Sequence, residues 1–349
     1  MTTDSVGGVW TYALELTDAL AERGVDVTLA TMGGRLTRAQ RTELSGCNAA
    51  SVHTSSFALE WMEEPWVDIE RAGEWLLEIA QDVEPEIIHL NAYAFGFLSW
   101  PAPVMIVGHS DVVSWYRAVR AAAPGPRYDR YRDAVTEGIG GADLLVAPTR
   151  ALLAELEKVY DPPCPRMVIP NGCARHVPDV RKQEMVVTVG RAWDEAKNIA
   201  ALVDVAPRLP WPVVVAGEGA VGKGVRAVGV IGRAEVTKLL AAAAVFAEPA
   251  RYEPFGLAAV EAGRARCALV LGDIPSLREV WEDAALFVPP DDRDVLERTL
   301  RALIDDAAFR AQAAERATRR AAEYTMERAA GAYFGAYEMI MSKRAAGVP

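Results

Sequence analysis

Two cations and two carboxylates stand out by type and spacing in the second half of the chain. Arg191 and Lys197 follow directly on the apolar run MVVTVG at 185–190, which closes on Gly190. Both therefore sit just past a strand C-terminus, where a pair of cations can neutralise a diphosphate as it leaves with growing charge. Glu253 and Glu261 bracket the stretch EPFGLAAVE at 253–261. Pro254 fixes a turn there, and Gly256 falls at an expected helix N-terminus, where free amides and the helix dipole favour anions and the missing Cβ admits a ligand. A carboxylate buried without a partner is costly, so Glu253 and Glu261 must be hydrogen-bonded or face a ligand. Taken singly, Arg191 and Lys197 read as helix-start charges and Glu261 as a plain helix carboxylate. Together they describe an anion site.

A third loop, Gly217-Glu218-Gly219-Ala220-Val221-Gly222, matches the G-x-G-x-x-G dinucleotide fingerprint. That motif requires a helix to open at once, and here the glycine-rich GKGVRAVGVIG continues instead, which argues against a nicotinamide or flavin site. The same stretch nearly matches a P-loop, but Gly224 stands where Ser or Thr must bind magnesium.

The elements that must carry these loops repeat in a βα rhythm. Residues 9–23 read as an amphipathic helix stopped by Gly24, followed by a strand at 25–31. Short apolar runs at 87–90, 104–109 and 144–148 alternate with helical stretches at 71–81 and 151–160. The second half continues with runs at 185–190, 213–217, 228–232, 244–249, 267–273 and 285–290. This is the signature of parallel sheet. The expectation is an α/β protein of two doubly wound, Rossmann-like domains in series, joined near the turn-rich 161–172, with the ligand cleft at the strand C-termini. A chain of 349 residues accommodates two such domains. Only residues 1–4 remain to form a strand ahead of Gly7 and Gly8, so the first, usually central, strand is expected to be largely absent: either the natural chain starts upstream of Met1 or the first sheet is incomplete.

The net charge of −11 lies wholly in the first half, where ten carboxylates between Glu60 and Glu86 face one cation, Arg71. Such a run is a solvated helix face, and it repels nucleic acid. A basic stretch interleaved with aromatics, Arg117 to Arg132, reads as solvated helix and loop with at most peripheral membrane contact, since the acidic surroundings oppose attraction to an anionic bilayer. The four cysteines form no metal-knuckle or redox spacing, and neither a signal sequence nor a membrane-length apolar run is seen, so the expected location is cytoplasmic. No metal site and no tightly bound cofactor are expected.

The stretches GRAWDEAKN at 190–198, AGEG at 216–219 and RYEPFGLAAVEA at 251–262 resemble the retaining glycosyltransferases of family 4 (group 1), and the resemblance covers nearly the whole chain. It implies the GT-B architecture: an acceptor-side domain at 1–168, completed by a C-terminal helix at 326–349, and a nucleotide-sugar-binding domain at 169–325. It implies a nucleoside-diphosphate sugar, of UDP or GDP type, as donor and a glycan, lipid-linked or small-molecule hydroxyl as acceptor. Arg191 and Lys197 then stabilise the departing diphosphate. Glu253 contacts sugar hydroxyls, and Glu261 holds the ribose. Gly190, Gly217, Glu218, Phe255, Gly256 and Leu257 line the donor, and backbone near Gly232 reads the base. In the first half, Gly7 and Gly8 resemble the family's glycine-rich loop, and His109, which ends the strand at 104–109, corresponds to a histidine near the transfer centre. Asn91 and Asp111, at comparable strand ends, are acceptor-side candidates. The chain departs from many relatives at Asp273-Ile274-Pro275-Ser276, where they carry a Gly-Gly turn, and at Gly263-Arg264-Ala265-Arg266-Cys267. A nucleotide-sugar epimerase of the same architecture and a non-catalytic nucleotide-sugar-binding protein are the rival readings.

Overall fold

The computed structural model describes residues 1–174, 176–219 and 222–345, the side chain of Ala345 excepted. The chain divides into two compact units. Unit 1 comprises Met1–Arg117, Ala122–Gly172 and Met326 onward, and unit 2 comprises Ala118–Ala121 and Cys173–Thr325.

Among the described residues unit 1 holds seven strands, parallel within each of two ladders: β1 (Thr2–Asp4), β2 (Thr28–Met32), β3 (Ser51–Thr54), β4 (Ile88–Leu90), β5 (Val104–Val107), β6 (Leu144–Ala147) and β7 (Arg166–Val168). Backbone pairing runs β1-β2-β3 and β4-β5-β6-β7, and β1 lies against β4. Four residues ahead of the Gly7 loop are thus enough for a strand. Thr2, Thr3 and Asp4 pair with Ala30, Thr31 and Met32. On the other edge Asn91 substitutes side-chain bonds for a backbone ladder, its N–H donating to Thr2 Oγ1 (2.8 Å) and its Nδ2 to the Thr2 carbonyl (2.6 Å). The expectation of a largely absent first strand is corrected accordingly. β3 and β7 are strands that the apolar-run reading does not find. β3 alternates half-buried and exposed positions, and β7 lies inside the turn-rich segment expected to join the domains.

The helix Gly8–Ala21 follows β1 and buries Trp10, Tyr12, Leu16 and Leu20. The C-terminal helix Met326–Ala345 packs on it with Ala330, Tyr333 and Tyr337 buried, as its apolar stripe dictates. The helix Trp66–Val83 buries Ala72, Leu76, Ile79 and Ala80 and turns Glu70, Glu74, Glu78 and Asp82 to solvent. Glu60 departs from that pattern. It is buried, and its carboxylate accepts from the amides of Tyr93 (3.1 Å) and Ala94 (2.6 Å). Burial pushes its pKa up to about 7. In the basic aromatic stretch, Arg127 stacks on Tyr128, while Arg130 stacks on Trp66 and pairs with Glu70.

Unit 2 is one parallel six-stranded sheet in the order β10-β9-β8-β11-β12-β13, with β8 (Gln183–Val189), β9 (Val213–Ala216), β10 (Val225–Gly229), β11 (Ala243–Glu248), β12 (Ala268–Gly272) and β13 (Leu286–Val288). Every residue of β9, β11 and β12 is buried, because helices cover both faces, and such strands read as unbroken apolar runs rather than alternating ones. β10 begins three residues earlier than the apolar run at 228–232 suggests. Among the described residues no helix is long and apolar enough to cross a membrane.

Candidate active site

The order of strands in unit 2 reverses at β8, with β9 on one side and β11 on the other. Loops leaving the C-terminal ends of these three neighbours splay apart there, which is where open α/β sheets take ligands. The β8 loop carries Gly190, Arg191 and Lys197, the β9 loop Gly217 to Gly219, and the β11 loop Glu253 to Gly256.

Glycines at the ends of β8 and β9 let their backbones meet. Gly190 donates to the Ala216 carbonyl (2.9 Å). Gly217, at φ +146°, lies so close that an added Cβ would stand 1.8 Å from the Gly190 carbonyl oxygen. Neither a side chain nor another backbone conformation fits there. The Glu218 side chain is exposed and its carbonyl accepts from Ala192 (2.9 Å). Ala220 and Val221, in the G-x-G-x-x-G match, lie outside the described residues. The chain continues after Gly224 as a strand and not a helix, as the rejection of a dinucleotide fingerprint requires.

Lys197 is held from two sides. Its Nζ donates to Glu248 Oε1 (2.7 Å) and to Glu253 Oε2. Glu248, the last residue of β11, is 1% exposed, and its Oε2 is buried with no hydrogen-bond partner among the described residues. The two carboxylates hold the Lys197 ammonium charged well above its ordinary range despite burial. Glu253 is itself fixed. Its Oε1 accepts from the amides of Gly256 (2.8 Å) and Phe255 (3.4 Å), its carbonyl accepts from Ser276 Oγ (2.5 Å), and Lys197 with these amides outweighs burial and lowers its pKa. Arg191 is organised separately, with Asp194 accepting from its Nη2 (3.0 Å) and its guanidinium stacked 4.9 Å above the Trp193 ring.

Several expected residues are placed differently from their simplest reading. Gly256 caps the helix Leu257–Arg264 at φ +88°, but its amide is taken by Glu253 rather than left open to an anion. Gly232 caps the helix Arg233–Ala242, and its amide donates to Glu235 (3.0 Å). Phe255 is buried against Tyr324, and Leu257 is half-buried. Glu261 is half-buried and lines a small pocket with Cys173, Val177, Thr237, Leu240 and Ala265. The sequence reading missed Glu248 and Asn198. Asn198 Nδ2 ties together the carbonyls of Pro249 (2.9 Å) and Pro290 (2.6 Å). Glu248 carried a signal, a lone acid ending an otherwise apolar run.

In unit 1, Gly7 turns at φ +80° and leads with Gly8 into the first helix, both exposed. His109 follows β5 and Asn91 follows β4, and the two are joined: His109 Nε2 lies 2.8 Å from Asn91 Oδ1. The Tyr12 ring stands edge-on to His109 at 4.6 Å, and burial pushes the imidazole pKa down to about 3. Asp111 is turned inward. It is 2% exposed and accepts from the amide and hydroxyl of Ser114 (2.7 Å each), from Tyr131 (3.3 Å) and from Tyr160. That set gives it the work of anchoring the loop after His109.

Comparison with known proteins bears on the family and the fold. Residues 6–175 match the sequence model of Glycosyltransferase Family 4, and residues 175–320 match that of Glycosyl transferases group 1. The O-antigen chain mannosyltransferase B of Escherichia coli is 23% identical over 252 residues, which make up 62% of this chain and 66%, just under two thirds, of that protein. Among solved structures, sucrose-phosphate synthase from Thermosynechococcus elongatus superposes with a TM-score of 0.80 at 18% identity, over 98% of this chain and 95% of that one. Anabaena HepE, solved in complex with UDP and glucose, gives 0.74 at 15% identity, over 97% and 100% of the two chains. The strand orders are those of two Rossmann-like units, and with the two sequence models together spanning residues 6–320, the chain belongs to the family 4, group 1 glycosyltransferases of the GT-B fold.

Proposed function

We propose that this glycosyltransferase moves a hexose from a nucleoside-diphosphate donor, of UDP or GDP type, to a hydroxyl acceptor with retention at the anomeric carbon and without a metal. The observation that carries the reading is the convergence of Lys197, Glu253 and the Gly190–Gly217 turn at the strand-order reversal in unit 2, with Arg191 on the same β8 loop. In this reading residues 169–325 hold the donor, and residues 1–168 with the C-terminal helix take the acceptor, a glycan, a lipid-linked intermediate or a small molecule. The bound UDP and glucose of HepE and the mannosyl transfer named for the Escherichia coli relative support a nucleotide-sugar donor and a hexose.

The diphosphate takes on charge as the glycosidic bond breaks, and Arg191 and Lys197 meet it. Glu248 keeps Lys197 in place from below, so that Glu253 can exchange one ammonium contact for sugar hydroxyls without freeing the lysine. The amides of Phe255 and Gly256 hold the other Glu253 oxygen, which fixes the carboxylate against the sugar. The Gly190–Gly217 contact leaves room for phosphate beside the backbone, and Glu261 binds the ribose. The departing diphosphate takes the acceptor proton on the same face, which gives retention. Loss of one such charge-stabilising contact costs about 10²- to 10³-fold in rate. The acidic first half disfavours a nucleic-acid partner, and contact with a membrane is peripheral at most, in keeping with a cytoplasmic enzyme.

The test is calorimetric titration with UDP, GDP and ADP, followed by product analysis with the matching sugar nucleotides. One nucleotide should bind, more weakly to Glu261→Ala and Arg191→Ala, and its sugar should appear on an added hydroxyl acceptor with the donor's anomeric configuration. A sugar nucleotide isomerised without acceptor would establish an epimerase, and binding without turnover a non-catalytic protein.

A further inference from the structure

The hydrogen bonds around Asn91 decide which nitrogen of His109 carries the proton. Asn91 Nδ2 lies 2.6 Å from the Thr2 carbonyl, and a carbonyl accepts only from the NH₂ end of an amide. The opposite amide orientation would set two oxygens against each other. The Asn91 oxygen therefore faces His109 Nε2 at 2.8 Å, and it can only accept. Nε2 must bear the hydrogen. With the imidazole pKa pushed down to about 3 by burial, the ring is neutral, and Nδ1 is left with its lone pair. Among the described residues the bond to Asn91 is the only hydrogen bond of the ring.

We infer that Asn91, anchored by Thr2, is a positioning residue that locks His109 as its Nε2–H tautomer, and that Nδ1 serves as a hydrogen-bond acceptor for a ligand hydroxyl. His109 then neither donates to a ligand oxygen nor acts as an acid. The ligand class is a polyol, of which a hexose is one, and this last step rests on the proposed glycosyl transfer, whereas the tautomer does not. The titratable groups around the ring are Tyr12 on the first helix and His89 on β4. Tyr12 titrates well above its ordinary range and His89 at about 3, so both are uncharged at neutral pH. The Met1 ammonium acts on His89 beyond them and is itself pushed down to about 5.

Long-range proton–nitrogen NMR of the ¹⁵N-histidine-labelled full chain tests the inference directly, with only four histidines to resolve and His109→Gln to assign the signal. The expected spectrum shows one neutral tautomer, protonated at Nε2 and flat from pH 5 to 8. Protonation at Nδ1, or an imidazolium at neutral pH, would overturn it. Asn91→Asp supplies the second arm. The carboxylate gives up the Nδ2 bond to the Thr2 carbonyl, still accepts from Nε2 and favours the charged ring, so the His109 pKa should rise. Transfer by this variant should then fall tenfold per pH unit below that new pKa, as protonation blocks Nδ1, while the wild type stays flat. An Asn91→Asp profile parallel to the wild type would refute the acceptor role. If the tautomer is as inferred but no sugar nucleotide binds, the donor reading fails alone.

Discussion

Replacement of Lys197 by methionine separates the electrostatics of the site from its chemistry. The ammonium lies between Glu248, which is 1% exposed, and Glu253, so its removal leaves two carboxylates facing one another, one buried and the other half-buried. Breaking a buried pair by deleting one partner costs about 3–5 kcal/mol. At about 2–4 °C per kcal/mol for a unit of this size, the melting temperature should drop by roughly 6–20 °C. The pH dependence carries the diagnosis. Without the lysine, one carboxylate retains a proton that the unfolded chain has already released, so the variant binds more protons folded than unfolded and loses stability as pH rises. The gap from the wild type should therefore narrow between pH 7 and pH 5. Adding Glu248→Leu should restore much of the loss, because the two substitutions remove opposite charges of one pair. Urea unfolding at several pH values reads all three. A Lys197→Met variant within 1 kcal/mol of the wild type, or a double variant whose losses simply add, would refute the buried triad.

Other consequences are as concrete. Gly217→Ala drives a Cβ into the Gly190 carbonyl and should cost upwards of about 2 kcal/mol by strain and abolish nucleotide binding, seen by denaturation and calorimetry. Glu60, with its pKa near 7, holds a proton that the unfolded chain loses near pH 4.5, so wild-type stability should decline between those values and level off above. Glu60→Gln should flatten that decline, worth roughly 3 kcal/mol at 1.36 kcal/mol per pKa unit, whatever its overall level; an unchanged slope by pH-dependent melting would exclude Glu60 as the cause.

Legibility in the sequence followed burial. Strands covered on both faces, such as β9, β11 and β12, announce themselves as apolar runs. Edge and half-covered strands did not: β3 alternates half-buried and exposed residues and β7 hides among prolines. Arg191, Lys197 and Glu253 could be picked out because cations and acids after strands are rare enough to notice. Glu248 stood out only as a lone acid ending an apolar run, and nothing in spacing says that a strand's last residue reaches across to a neighbouring loop. Asp111 shows the converse, a polar residue at a strand end that turns inward to two tyrosines. No one-dimensional pattern records which way such a side chain turns.

The seam between β1 and β4 has a consequence for how unit 1 breathes. Within β1-β2-β3 and within β4-β5-β6-β7 each adjacent pair is zipped by a backbone ladder, whereas β1 and β4 share none and Asn91 reaches across to Thr2 with its amide and side chain. Local opening is cheapest where the fewest backbone bonds must part. Deuterium should therefore enter the backbone of the β1–β2–β3 flap before it enters β5 and β6, and the seam that yields first is the one that sets the orientation of the His109 ring.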